Sequence, residues 1–200
     1  MISIIDYRAG NIASVSNALE RLGVRYQVTD HKQKLDASDG IIFPGVGHAE
    51  SAMRAVRESD LHAWLRTTTK PVLGICLGMQ LLYEFSEEGG TETLGVVKGR
   101  LKKFDAGRDK VPHMGWNTFG ELHGAHHPLM NGIRAEDYFY YVHSYYAPLT
   151  EETLASSEYA GATFACIVAR DNFAGVQFHP EKSGRAGTLL LQNFIRSTRP

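Results

Sequence analysis

The feature that most narrows what this chain can become is the alternation in its first half, where short apolar runs are each followed by a stretch of helical period. Ile2–Ile5, Tyr26–Val28, Gly40–Phe43 and Val72–Ile75 read as strands, and Asn11–Leu22, Ala49–Arg66 and Leu77–Phe85 read as helical. Strands separated by helices are the pattern of a parallel, doubly wound sheet. In the first helix Ile12, Val15, Ala18, Leu19 and Leu22 share one face, with Asn11 placed as N-cap and Gly23 as the C-terminal stop. After Gly95 the pattern changes to strand-like pieces over Val96–Phe104, Asp137–Tyr141, Ala162–Ala169 and Phe173–Phe178. Asp171-Asn172 between the last two suits a hairpin turn, and a helical stretch over Thr188–Arg196 closes the chain. The expected fold class is α/β: one open mixed sheet, parallel at the centre with antiparallel additions and helices on both faces, in a single domain over residues 1–200.

At 200 residues and 43% hydrophobic content the chain can bury a full core. A formal charge of −1 gives no electrostatic footprint for nucleic acid or an anionic membrane. No apolar run approaches the roughly 20 residues of a membrane span, and the N-terminal "MISIIDYRAGN" lacks the parts of a signal peptide, so the expected location is cytoplasmic. Two cysteines, Cys76 and Cys166, exclude a disulfide scaffold and leave room for a reactive thiol.

Chemistry concentrates at three places. Gly74-Ile75-Cys76-Leu77-Gly78 has the form of a nucleophile turn between strand and helix, with sulfur in place of oxygen and glycines that keep other side chains clear. A cysteine there faces the positive end of the helix macrodipole, which favours the thiolate, and the backbone N–H of Leu77 is available to an oxyanion. The plain alternative is a small buried hydrophobe, as most free cysteines are. In "GVQFHPEKSG", Gly175 to Gly184, Pro180 biases His179 toward extended backbone, where residues i and i+2 point the same way and Glu181 can lie beside the imidazole. A thiol nucleophile needs a base, and the base an orienting group; the plain alternative for this piece is a surface turn. "FPGVGHAE", Phe43 to Glu50, lies between a strand and a helix at the carboxyl edge of the sheet, where open α/β folds bind ligands. Gly45 and Gly47 leave the Val46 peptide free to reorient, and its N–H is a candidate second oxyanion donor; the plain alternative is an ordinary strand-to-helix turn.

Together these motifs resemble the class I, triad-type glutamine amidotransferase family. The resemblance implies a flavodoxin-like fold and hydrolysis of glutamine through a triad of Cys76 as nucleophile, His179 as general base and acid and Glu181 as orienting carboxylate. It also implies an oxyanion held by the N–H groups of Val46 and Leu77 within a loop framed by Gly45 and Gly47. Gln80 and Glu88 would contact the amino-acid end of glutamine, and the backbone of His143-Ser144-Tyr145 would hold its carboxylate. "IDYRAGNIASV", "PHMGWN" and "FHPEKSG" look like the branch that serves imidazole glycerol phosphate synthase in the histidine pathway, with Arg8 a departure where glycine is more usual. That branch implies a separate (β/α)8 barrel cyclase as partner, no cofactor, and Asn11, Trp116 and Lys182 facing the barrel.

His113, His123, His126 and His127 lack the fixed spacing and companion ligands of a metal site, so no metal is expected. Cys166 falls within a strand pattern and reads as buried and inert, and Tyr138–Tyr141 reads as sheet packing. The sequence leaves open a glutaminase serving another synthase, such as an anthranilate, pyridoxal phosphate or sugar amidotransferase, and a catalytically silent binding module on the same fold.

Overall fold

The structure is a computed structural model that describes residues 1–7 and 11–198; Arg8 lies outside the described residues. The chain runs β1 (Ile2–Ile5), α1 (Ile12–Arg21), β2 (Tyr26–Thr29), α2 (Lys32–Asp36), β3 (Gly40–Gly45), α3 (Ala49–Glu58), α4 (Leu61–Thr67), β4 (Val72–Cys76) and α5 (Leu77–Gln80). There follow β5 (Phe85–Ser86), β6 (Thr91–Glu92), β7 (Arg100–Lys103), β8 (His113–Asn117), β9 (Phe139–His143) and β10 (Tyr145–Tyr146). β11 (Thr153–Tyr159), β12 (Ala162–Arg170), β13 (Phe173–Val176) and α6 (Gly184–Ser197) complete it.

The main sheet has seven strands in the order β11-β12-β13-β4-β3-β1-β2. From β13 to β2 every pairing is parallel, while β11 and β12 are antiparallel additions. The central strands β1, β3, β4 and β13 are buried along their whole length, as expected of parallel strands covered on both faces. Alternation splits them between two cores. Ile42, Leu73 and Ile75 join α1 and α6 through Val15, Leu19, Leu190 and Phe194, whereas Ile41, Phe43 and Val72 join α3 and α4 through Met53, Val56, Leu61 and Leu65. Asp171-Asn172 forms the tight β12–β13 turn, with Arg170 opposite Phe173 and Asp171 at φ 52°.

Several expectations need correction. The strands after Gly95 do not all extend one sheet: β7 and β10 join the earlier β5 and β6 in a separate four-stranded sheet, and β8 and β9 form a two-stranded ribbon. The Ala49–Arg66 stretch is two helices, broken at Asp60, which takes a left-handed φ of 58°. Asn11 makes no side-chain cap; its Oδ1 accepts instead from Ser14 Oγ at 2.8 Å. Gly23, at φ 64°, does end α1, donating to Glu20 O. The helix after Cys76 stops at Gln80 and does not reach Phe85. The carbonyls of Leu81, Leu82 and Tyr83 accept from Leu94, Val97 and Gly95, and all three side chains are fully buried, a demand that a one-sided helix cannot meet.

That short helix lies unusually close to the sheet. A Cβ on Gly78 would collide with the Phe43 carbonyl, and one on Gly74 would stand 2.8 Å from the backbone of Gly78 and Met79. We expect Gly78→Ala to cost about 1–3 kcal/mol, the usual range for overpacking, while Gly120→Ala, whose Cβ meets nothing closer than 3.7 Å, stays within about 0.5 kcal/mol; urea denaturation of the two variants checks this.

Candidate active site

Cys76 ends β4 and begins α5 with φ 53° and ψ −109°, a conformation costly for any residue with a Cβ. The corner aims the thiol over the carboxyl edge of the sheet. Register then sets its neighbours: Gly45 at the end of β3 pairs with Cys76, and Val176 at the end of β13 pairs with Ile75. Three segments far apart in sequence therefore meet at one place. The cavity there is about 270 Å³ and is lined by Val46, Gly47, Cys76, Leu77, Gln80 and Glu88. Pro112, Val142, His143, Ser144, Tyr145 and His179 line it as well. That volume is near the lower end for small-molecule sites and suits an amino-acid-sized ligand.

His179 Nδ1 lies 2.8 Å from Glu181 Oε1, and both side chains are almost fully buried. The pair does not form along extended strand as expected. His179 is the last extended residue, and a 3-10 turn over Pro180–Lys182 swings Glu181 back to it. Ser183 Oγ donates to the His179 carbonyl at 2.6 Å, and His179 N–H donates to Tyr140 O at 2.9 Å, which fixes the imidazole's backbone. Burial alone would lower the pKa of His179, but the Cys76 sulfur and the Glu181 carboxylate outweigh it and raise the imidazole well above its ordinary value. Nε2 is buried and has no hydrogen-bond partner among the described residues, although the Cys76 sulfur is close enough to act on the ring.

The two loop glycines differ in purpose. A Cβ on Gly45 would stand 2.7–2.8 Å from Gly78 N, Leu77 Cβ and the Tyr7 hydroxyl, so that position needs space; Gly47 has empty space around it and instead takes φ 105°. Glu88 reaches this loop from the other side: its Oε2 accepts from Ala49 N–H at 2.7 Å, at the start of α3, where a carboxylate suits the helix dipole. Gln80 directs its amide nitrogen at Tyr145 O (2.9 Å) and Gln177 Oε1 (3.0 Å), leaving Oε1 for a ligand. Gln177, fully buried, belongs to none of the sequence-predicted site residues; it sits at the bend that joins the end of β13 to His179.

The sequence-predicted residues outside the cavity fall in two places. Trp116 is 55% exposed and meets Tyr140 edge-on, with ring centres 5.9 Å apart, and the Lys182 ammonium lies 6.0 Å from the same ring's centre. Asn11 is not in that contact; it starts α1. Three of the four histidines that invite a metal reading have other partners. His113 Nδ1 lies 3.0 Å from His143 Nε2, His127 Nδ1 accepts from Leu129 N–H, and His123 lies near Glu121. Among the described residues no group of three or more His, Cys, Asp or Glu side chains could hold a metal ion. Cys166 is fully buried, and burial pushes its thiol pKa up strongly. No helix among the described residues is long and apolar enough to cross a membrane.

A thiol on a strained corner, an imidazole held by a buried carboxylate, and backbone N–H groups beside a small cavity can together cleave an amide through a thioester. The glutamine amidotransferase class-I family model matches residues 3–197. The chain is 46% identical over 196 residues to the imidazole glycerol phosphate synthase subunit HisH of Bacteroides fragilis, covering 97% of this chain and 98% of that protein. It is 44% identical over 200 residues to the same subunit of Vibrio cholerae, covering 97% of each. Among solved structures, a putative GMP synthase subunit from Thermoplasma acidophilum has a TM-score of 0.73 at 20% identity, over 98% of this chain and 92% of that one. PurLQS from Thermotoga maritima has a TM-score of 0.70 at 20% identity, over 99% and 98%; both share the fold. The chain belongs to the class-I glutamine amidotransferase family and, within it, to the group of imidazole glycerol phosphate synthase HisH subunits.

The buried His113–His143 pair supplies a pH prediction. Burial pushes His143 down to about 3 and His113 to about 4, whereas both titrate near 6.5 when unfolded. The unfolded chain thus binds more protons between these values, and stability falls as pH drops from about 6.5 toward 4. Thermal melts over that range will show this loss, and His113→Gln with His143→Gln will make it shallower.

Proposed function

We propose that this chain is the glutaminase subunit of an imidazole glycerol phosphate synthase, a single cytoplasmic domain that hydrolyses glutamine and passes the ammonia to a (β/α)8 cyclase subunit. There the ammonia serves to make imidazole glycerol phosphate and AICAR from PRFAR in histidine biosynthesis. The observation that carries the reading is the convergence of Cys76 with the buried His179–Glu181 pair on one amino-acid-sized cavity, in a chain 41–46% identical to HisH subunits.

His179 takes the thiol proton, and the Cys76 thiolate attacks the side-chain amide carbon of glutamine. The N–H groups of Leu77 and Val46 hold the resulting oxyanion. His179 then gives its proton to the departing nitrogen, so ammonia leaves and a glutamyl thioester remains on Cys76. Water, deprotonated by His179, attacks the thioester; glutamate leaves and the thiol is restored. Glu181 keeps the imidazole oriented with Nε2 toward the reacting atoms and stabilises its charge. The free oxygen of Gln80, the Glu88 carboxylate and the His143–Tyr145 backbone grip the amino-acid end of glutamine. Trp116, Lys182 and Asn11 face the cyclase; the aromatic pair Trp116–Tyr140 under a lysine has the composition of an interface anchor.

The Val46 peptide sets the rate. With its N–H turned from the cavity one oxyanion donor is lost, typically a factor of about 10²–10³, and the glutaminase idles until the partner holds its nucleotide. Glutamate release from glutamine tests the proposal. It is expected to be slow for the chain alone, to rise steeply with the cyclase and its ribonucleotide, and to vanish in Cys76→Ala. Release indifferent to that cyclase yet lost in Cys76→Ala would keep the glutaminase and point to another synthase. Val46→Pro, which removes the N–H, is expected to lower the stimulated rate about 10²–10³-fold. Lys182→Glu is expected to weaken the complex, measured by titration calorimetry.

A further inference from the structure

The buried side chains beneath the cavity form a directed hydrogen-bond chain that ends on the nucleophile. His143 Nδ1 lies 2.8 Å from the Tyr145 carbonyl. A carbonyl only accepts, so Nδ1 carries the proton of this neutral imidazole. His143 Nε2 is then an acceptor, and His113 Nδ1 donates to it at 3.0 Å. The same Tyr145 carbonyl takes a second hydrogen bond from Gln80 Nε2 at 2.9 Å, which fixes the Gln80 amide with its nitrogen inward. That nitrogen's other hydrogen goes to Gln177 Oε1 at 3.0 Å. Gln177 must therefore turn its own nitrogen the opposite way, and Nε2 points at Cys76 Sγ, 3.8 Å off, within reach for a sulfur acceptor. Gln177 is fully buried, and its backbone N–H is anchored on Cys166 O at 2.9 Å.

We infer that Gln177 is a further positioning residue of the proposed glutaminase site: its amide, oriented by Gln80, supplies the N–H that holds the Cys76 sulfur in the attacking position and stabilises it as an anion. The inference rests on the reading of Cys76 as nucleophile. The sulfur faces the His179 ring, whose pKa it raises, and it donates its S–H to Val142 O at 3.8 Å. On loss of the thiol proton that carbonyl becomes a poor neighbour for the anion, whereas the Gln177 N–H becomes a better one, because hydrogen bonds to charged atoms are stronger. The arrangement also ties the thiol to substrate recognition. Gln80 lines the cavity, so the residue that faces the bound amino acid sets the direction of the amide that faces the sulfur.

The test is Gln177→Glu, which keeps an oxygen for Gln80 and removes the N–H donor without changing size. Gln177→Met is the neutral companion, and circular dichroism verifies that both fold. The first readout is the rate constant for iodoacetamide alkylation of Cys76 in the isolated chain at about pH 7.5, a mildly basic buffer in which thiolates react, with Cys76→Ala as blank. The second is kcat and KM for glutamine in the complex with cyclase and its nucleotide. Both variants are expected to alkylate about tenfold more slowly, the order set by one hydrogen bond to a charged atom. They are also expected to lose kcat by a similar factor with KM little changed, a split that loosened packing would not produce. Gln80→Leu, which frees the Gln177 amide to turn over, is expected to slow alkylation as well, though no substrate is present. Folded Gln177→Glu and Gln177→Met chains that alkylate and turn over like the parent would overturn the inference while leaving the glutaminase intact. A parent chain that releases no glutamate even in the loaded complex would instead remove the reading on which it rests.

Discussion

The site depends on how closely α5 lies against β3 and β4. With no Cβ at Gly45, Gly74 and Gly78, the first turn of that helix settles onto the backbone of the neighbouring strand, and a side chain at any of the three would force the layers apart. The closeness bends the chain so sharply that Cys76 takes a left-handed φ of 53°. Strain of this kind persists only where the surroundings over-determine it. Here they do, through paired strands on both sides of β4 and a fully buried run from Leu77 to Tyr83. Once the corner is fixed, parallel register places the Val46 loop and the His179 segment beside it without further specification.

Electrostatics divides the buried histidines into two kinds. His113 and His143 sit among aromatic rings, His113 being stacked between Tyr141 and Tyr159 at 4.9 and 4.0 Å. Burial keeps them neutral, outweighing the Asp109 carboxylate that acts on His113. They act as fixed donors and acceptors that hold the Tyr145 carbonyl. His179 is equally hidden from water, but the sulfur and the carboxylate on its two sides reverse the outcome and favour the protonated ring. Of the histidines lining the cavity, His179 is thus the one suited to take and return a proton. One fold holds the same residue type in two electrostatic settings, separated only by what lies within reach of each ring.

Much of this is legible in the sequence because its determinants are local. Strand–helix alternation marks the parallel centre, the Gly-x-Cys-x-Gly turn marks the strained Cys76 corner, and His-Pro-Glu marks the buried His179–Glu181 pair, although a 3-10 turn, and not extended chain, joins imidazole to carboxylate. What stays hidden depends on contacts distant in sequence. The helix after Cys76 reads as longer because Leu81-Leu82-Tyr83 continues an apolar pattern, yet its carbonyls are claimed by residues 94–97. β11 carries no strand signal because Ala155, Ser156 and Ser157 are small and turn-like, and are made strand by their pairing with β12. β8 carries Gly115 at its centre and is defined by its partner β9. Gln177 lies two residues before His179, but a buried glutamine gains meaning only when Gln80 and the sulfur are seen on either side of it.

On the proposed mechanism Cys76 carries a covalent glutamyl thioester during turnover. The most direct measurement is rapid acid quenching of the glutamine-loaded complex, followed by intact mass and peptide mapping. A glutamyl adduct is expected on the peptide that carries Cys76, absent in Cys76→Ala and accumulating when the water-activating step is slowed. Turnover with no adduct at any time point, or an adduct on Cys166, would contradict it.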